Sequence, residues 1–268
     1  MLRLIVAYLL LCLPAWAQDT GLKRLDTTDA GRAWEAVGRL DVDGVGFCTG
    51  ALIAPDLVLT AAHCLFDKDT GQRLRPDQME FLAGWRNGRA SAYRDVKRAV
   101  PHPDYIYDGE VSSERVSNDV ALVQLQQPIR NTRIKPFQTA NRPRRGDEVG
   151  VVSYAHDRSE APSLQEVCGV MARQQGVLIL SCDVDFGSSG APVFSFEGGV
   201  PRIVSVVSAK AEVRGTRVAL GSALEDTLVL VQAELLAKGG FTRSASTSAN
   251  RVVVGQKRND TGAKFVRP

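Results

Sequence analysis

FGSSGAPVF, Phe186–Phe194, sets two adjacent serines between glycines and runs them into an Ala-Pro and an apolar stretch. Gly and Ser are common turn residues, so an ordinary turn is the simplest account. The alternative is a turn that holds one serine for attack. Gly187 and Gly190 permit backbone angles that other residues avoid. Such a turn can aim consecutive N–H groups at one point, as acyl transfer requires for its oxyanion. The rest of the chain decides between the two.

Two other stretches supply partners for a reactive serine. Leu57–Leu65, LVLTAAHCL, reads as an apolar strand running into a small-residue turn, with His63 directly before Cys64. Ser117–Leu125, SNDVALVQL, puts Asp119 at the mouth of another apolar strand. Taken singly, the histidine reads as a surface or core residue and the aspartate as a strand cap. Together they complete a chemistry. A serine hydroxyl is a poor nucleophile until a base takes its proton, and imidazole titrates near neutrality. The imidazole in turn needs a carboxylate to fix its tautomer and stabilise its charged form. The chain order His63, Asp119, Ser189 is the chymotrypsin order, distinct from those of subtilisin and the α/β-hydrolases.

The surrounding pattern is that of a β protein. Short apolar runs bounded by Gly, Pro, Asn and Asp recur at Ala51–Ile53, Leu57–Thr60, Val120–Leu125, Val149–Tyr154, Val177–Ser181, Ala191–Phe196 and Ile203–Val207. The clearest helical pattern is Leu224–Lys238, where Leu224, Leu228, Val231 and Leu235 share one face and Gly239-Gly240 ends the run. The expectation is an all-β barrel or sandwich closed by a C-terminal helix. Composition agrees: 44% of the 268 residues are hydrophobic, enough for a packed core. A net charge of +3, from 33 basic and 30 acidic residues, suggests neither nucleic-acid nor strong membrane-surface binding.

The first residues read as a secretory signal. Arg3 supplies a positive start, Leu4–Leu13 an apolar region too short to span a bilayer, and Ala15-Trp16-Ala17 an A-x-A cleavage site. Bulky Leu11 before Cys12 argues against a lipoprotein anchor. Cleavage after Ala17 leaves Cys48, Cys64, Cys168 and Cys182, an even count behind a secretory signal. Spacing favours Cys48–Cys64 and Cys168–Cys182 among the three pairings. Each closes a loop of about 15 residues, a stabilisation of roughly 3 kcal/mol in the chain-entropy model. With no C-x-x-C pair and poorly spaced histidines, a metal site is not expected. Four units follow: a signal over 1–17, an N-terminal segment over 18–33, a domain over 34–240 and a flexible basic tail over 241–268.

TAAHC, NDVALVQL and GSSGAP together resemble the three catalytic motifs of trypsin-like serine proteases, most closely bacterial secreted members. VPHPDY at Val100–Tyr105 and FCTGALIAPDLVLTAAHC at Phe47–Cys64 resemble further family segments, and the resemblance spans Trp34–Lys238. It implies two six-stranded antiparallel β-barrels with the site between them, and a cofactor-free endopeptidase acting on protein or peptide substrates as a secreted or periplasmic monomer. His63 would be general base and acid, Asp119 its orienting partner and Ser189 the nucleophile. The N–H groups of Gly187 and Ser189 would form the oxyanion hole, and Ser205, Val206 and Val207 the strand that pairs with substrate. His102 and His156 read as surface or turn residues. An inactive binding protein on the same fold is the alternative.

Two positions depart from the pattern. Digestive members carry Asp between the oxyanion glycine and the nucleophile, where it pairs with a freed Ile or Val N-terminus; here that position is Ser188, and no I-V-G-G-like start follows Ala17. Activation without that switch is therefore expected, with a propeptide within Gln18–Arg32 left open. Asp183 lies six residues before Ser189, where trypsin-type enzymes hold the acid that selects Arg or Lys, but Asp185 replaces the neighbouring cysteine. Basic, acidic and small apolar preferences all stay open.

Overall fold

The computed structural model describes residues 21–43, 46–107, 111–140, 143–237 and 240–242. The expected signal over 1–17 and the tail from 243 onward lie outside the described residues. The chain enters as β1 (Leu22–Arg24), passes the buried Leu25, and turns through α1 (Thr28–Gly31), whose first turn is capped by the Thr27 hydroxyl accepting Ala30 N–H.

Six strands then form the first barrel: β2 (Val37–Val42), β3 (Gly46–Ala54), β4 (Leu57–Thr60), β5 (Met79–Ala83), β6 (Ala92–Pro101) and β7 (Ala121–Leu125). Their order is β6-β5-β2-β3-β4-β7, and pairing of β7 with β6 closes the sheet. Closure removes the unpaired edges that an open sheet exposes. Inward-facing Leu40, Leu52, Val58, Phe81 and Val123 are fully buried, each worth about 1.5–3 kcal/mol of transfer free energy. The short helix α2 (Ser113–Ser117) precedes β7 and delivers the chain to Asp119.

The second barrel repeats the plan with β8 (Glu148–Ser153), β9 (Ser163–Gln174), β10 (Val177–Leu180), β11 (Pro192–Ser195), β12 (Arg202–Val213) and β13 (Thr216–Ala223). The order is β9-β10-β13-β12-β11-β8, closed by β8 on β9. Both barrels are antiparallel throughout, as the resemblance implied. Trp34, Phe137, Phe194 and Phe196 pack together near the join, with Phe194 centroids 4.8 Å from Phe137 and 5.0 Å from Trp34.

The C-terminal helix α3 (Leu224–Leu236) buries Leu224, Leu228 and Val231 against β6, β7 and β12. The chain then returns as β14 (Phe241–Thr242), paired with Ala99 and Arg98 of β6. Residues 241 and 242, the first two of the expected tail, thus belong to the sheet. At the other end β1 pairs with Ser163–Gln165 of β9, so part of the segment expected over 18–33 is an edge strand of the second barrel.

His102 also differs from its expected place. It is buried at 3% exposure, because the end of β6 tucks it under the Asp119 segment, where its N–H donates to Val120 O at 2.9 Å. Its Nδ1 accepts Asp104 N–H at 3.2 Å, and burial holds its pKa below the ordinary histidine value. His156 is exposed.

Candidate active site

His63 sits in a 3₁₀ turn (Ala62–Leu65) that follows β4 directly. Asp119 sits just before β7, the strand paired with β4, so adjacent strand ends bring the two together. His63 Nδ1 lies 2.7 Å from Asp119 Oδ2, and His63 N–H donates to Asp119 Oδ1 at 2.8 Å. A carboxylate only accepts, so this contact selects, for the neutral ring, the tautomer with its proton on Nδ1 and its lone pair on Nε2. Asp119 is 2% exposed, and the second barrel fixes its backbone through Ser222 Oγ, which donates to Val116 O at 2.5 Å and lies 3.3 Å from Asp119 O.

A third donor reaches the same carboxylate. Ser208 Oγ lies 2.5 Å from Asp119 Oδ2. Ser205, expected on the substrate-pairing strand, lies three residues earlier on β12 and does not reach this carboxylate. Ser205 is fully buried and donates to Ser222 O at 2.8 Å, and Val206 and Val207 are also buried. The reason is a β-bulge: Val207 pairs with Gly221 but Ala209 with Leu220, leaving Ser208 as the extra residue that turns toward Asp119.

Ser189 lies on the turn that opens β11, between Gly187 at φ +95° and Gly190 at φ +77°. The first barrel holds this turn through Thr49 of β3. Thr49 N–H donates to Ser189 O at 2.8 Å, while its hydroxyl donates to Gly187 O at 2.8 Å and accepts Tyr154 N–H at 3.1 Å. A methyl group on Gly190 would overlap Thr60 Oγ1 and Thr49 O, so glycine is what lets the turn seat against β3 and β4. Thr49 was not singled out in the sequence. The available signal was a polar residue inside the apolar run next to Cys48.

The N–H groups along the turn fall into two sets. Phe186 N–H donates to Asp185 Oδ1, Ser188 N–H to Asp185 O and Gly190 N–H to Val207 O. Among the described residues Gly187 N–H and Ser189 N–H have no acceptor. Phe186 O accepts His156 N–H at 2.7 Å. A trans peptide points its C=O and N–H in opposite directions, so this bond turns Gly187 N–H away from His156. Ser189 is half-buried, and its hydroxyl makes no hydrogen bond with His63 among the described residues.

The segment before Ser189 carries charge. Asp183 is half-buried, its N–H donating to Gln165 Oε1 at 2.7 Å. Asp185 is tied to Lys210 at 2.5 Å, and that hydrogen bond holds its carboxyl below the usual range. The same ammonium lies 4.1 Å above the Phe186 ring, itself 73% exposed. Lys210 is two residues beyond Ser208, so it spans from β12 to the segment leading into Ser189.

Both expected disulfides are formed, Cys48–Cys64 and Cys168–Cys182. The first lies beside the His63 ring, whose nitrogen groups with both sulfurs within 4.8 Å. Those sulfurs are committed to the disulfide, so this trio offers no thiolate to a metal.

Two closed antiparallel barrels carrying a His–Asp pair and a glycine-bounded serine turn define the chymotrypsin-fold class. The family described as Trypsin matches residues 27–219, and the chain belongs to this trypsin-like serine protease family. It is 26% identical over 151 residues to a glutamyl endopeptidase of Bacillus licheniformis, covering 56% of this chain and 46% of that protein. It is 35% identical over 97 residues to serine protease 56 of Mus musculus, covering 36% of this chain and 14% of that one. The chain thus spans less than half the length of these relatives. A solved structure of a Glu endopeptidase in complex with MPD superposes with a TM-score of 0.67 at 18% identity, covering 81% of this chain and 97% of the other.

Proposed function

We propose that this protein is a secreted or periplasmic serine endopeptidase that cleaves peptide bonds through an acyl-enzyme. The observation that carries this reading is the pair of N–H groups at Gly187 and Ser189, which have no acceptor among the described residues, on a turn pinned from both barrels. A binding protein on the same fold has no need to keep two open donors beside a serine. Their use is to stabilise an oxyanion, where one donor is worth about 3–4 kcal/mol.

The steps follow from the positions. His63 Nε2 takes the Ser189 hydroxyl proton as Oγ attacks the substrate carbonyl, and the new oxyanion accepts from Gly187 and Ser189 N–H. Asp119 stabilises the imidazolium and keeps the ring oriented. The C–N bond breaks as His63 returns the proton to the leaving amine, and a water activated by His63 then hydrolyses the ester. Hydrogen bonds between nucleophile and base commonly tighten once substrate is bound. Backbone groups around Ser208–Lys210 would pair with the substrate chain, in place of the Ser205–Val207 register. Lys210 offsets Asp185, and Asp183 is the acid that would bear on a preference for basic side chains.

A chromogenic ester tests the reading. The expected result is a burst approaching one equivalent of product per chain, followed by slower turnover, with the same preparation cleaving short peptides. No burst and no cleavage across Arg, Lys, Glu, Ala and Val peptides would contradict it.

A further inference from the structure

Ser188 occupies the position where the family's digestive members place an aspartate, and its surroundings explain what a serine does there. Ser188 is fully buried at 0% exposure. Its Oγ lies 3.1 Å from Tyr154 O and 3.2 Å from Ser153 Oγ, and accepts Asp185 N–H at 3.3 Å. A hydroxyl has one proton and two lone pairs. Donating to Tyr154 O leaves one lone pair for Asp185 N–H and one for the Ser153 hydroxyl, so every capacity is used. The Ser188 backbone is equally committed, N–H to Asp185 O and O from Ala191 N–H, both at 2.9 Å. From the other barrel, Thr49 holds Gly187 O and Ser189 O, the two residues flanking Ser188.

We propose that Ser188, Ser153 and Thr49 form a neutral hydroxyl clamp that holds the Ser189 turn ready for attack without any charge pair. Assembly of the site then needs neither a liberated N-terminal amine nor a titrating group. This inference rests on the peptidase reading and names how that same site is kept assembled.

The charged and titratable groups around the clamp face elsewhere. Asp185 turns its carboxylate to Lys210 and Phe186 N–H, with Arg158 acting on it as a further positive charge. The Tyr154 phenol donates to Trp85 O, and burial pushes its pKa up. From the β3 side Phe47 packs on Gly187. An amine–carboxylate pair would come apart as the amine lost its proton, ordinarily near pH 8. Hydroxyls and backbone amides do not titrate there. An aspartate at 188 would place a second acceptor against Tyr154 O and bury a charge with no cation to meet it.

Active-site titration with a fluorophosphonate between pH 7 and 10, with parallel peptide kinetics, tests the clamp. Wild-type protein is expected to keep one reactive site per chain across that range, and N-terminal acetylation should leave the count unchanged. Ser188→Asp should lose at least about 100-fold in kcat/KM, and Ser188→Ala about tenfold, mostly in kcat, with a Tm lower by a few degrees. The double variant Ser153→Ala/Ser188→Ala should fall little beyond Ser188→Ala, because the two hydroxyls act as one unit. A wild-type count that falls between pH 7 and 10, or a Ser188→Asp variant as active as wild type, overturns the clamp alone. Wild-type protein that never labels removes the peptidase reading and the clamp with it.

Discussion

Asp119→Asn is expected to lower kcat by about four orders of magnitude with the fold intact, the size of loss this change causes in a Ser-His-Asp site. The carboxylate takes three donors: His63 N–H on Oδ1, and His63 Nδ1 and Ser208 Oγ on Oδ2. An asparagine has one oxygen and one NH₂, so it cannot accept from both ends. If its oxygen faces His63 N–H, the NH₂ meets His63 Nδ1 and selects the tautomer with the proton on Nε2. That tautomer has no lone pair for the Ser189 proton. If the amide is reversed, the NH₂ opposes the His63 backbone N–H. Steady-state kinetics on one peptide, with a thermal melt as control, reads the effect. A loss below about tenfold would mean that Asp119 does not orient the base.

Gly190→Ala is expected to be the most damaging single methyl group. It would enter a space already filled by Thr60 Oγ1 and Thr49 O, with Ala61 N 3.0 Å away, at a φ of +77° that disfavours any Cβ. These are backbone and buried atoms at the foot of the His63 turn, so the overlap cannot be relieved by one flexible side chain. Seating the methyl means parting the serine turn from β3 and β4, which separates nucleophile from base. Effects of 10²-fold follow from misplacements of about 1 Å, and two pinned elements move here. Folded Gly190→Ala should lose at least about 10³-fold in kcat/KM and melt several degrees lower. Near-normal activity with a normal melt would show that the barrels do not meet tightly at this turn.

The elements legible in the sequence are those whose residues are buried on every side. Leu57–Thr60 reads as a strand because three of its four residues are inside, and Leu224, Leu228 and Val231 mark α3 by their helical spacing. Strands such as β6, AYRDVKRAVP, and β9, SLQEVCGVMARQ, escaped that reading. They wrap around the barrels, so their inward residues alternate with charged outward ones and their ends reach solvent. The candidate residues His63, Asp119 and Ser189 were legible because chemistry restricts which residue types can serve together. Ser208 was not. Its place depends on a bulge whose register is set by Leu220 and Gly221 on the partner strand, and a single strand's sequence carries no record of that. Thr49 and Ser153 were hidden for the same reason, since each matters through a contact more than 30 residues away along the chain.

The clamp and the departure at position 188 belong together physically. Related enzymes that bury an aspartate there need a cation to balance it, whereas a serine satisfied by Tyr154 O, Ser153 Oγ and Asp185 N–H needs none. The N-terminal strand, paired with Ser163–Gln165 on the barrel edge, is then free to serve packing.

The most direct test of the central claim is fluorophosphonate labelling of wild-type protein beside Ser189→Ala, with the adduct located by peptide mass spectrometry. One phosphonylated residue per wild-type chain is expected, at Ser189, with no labelling of Ser189→Ala. Labelling that persists in Ser189→Ala, or an adduct found on Ser188, would contradict it.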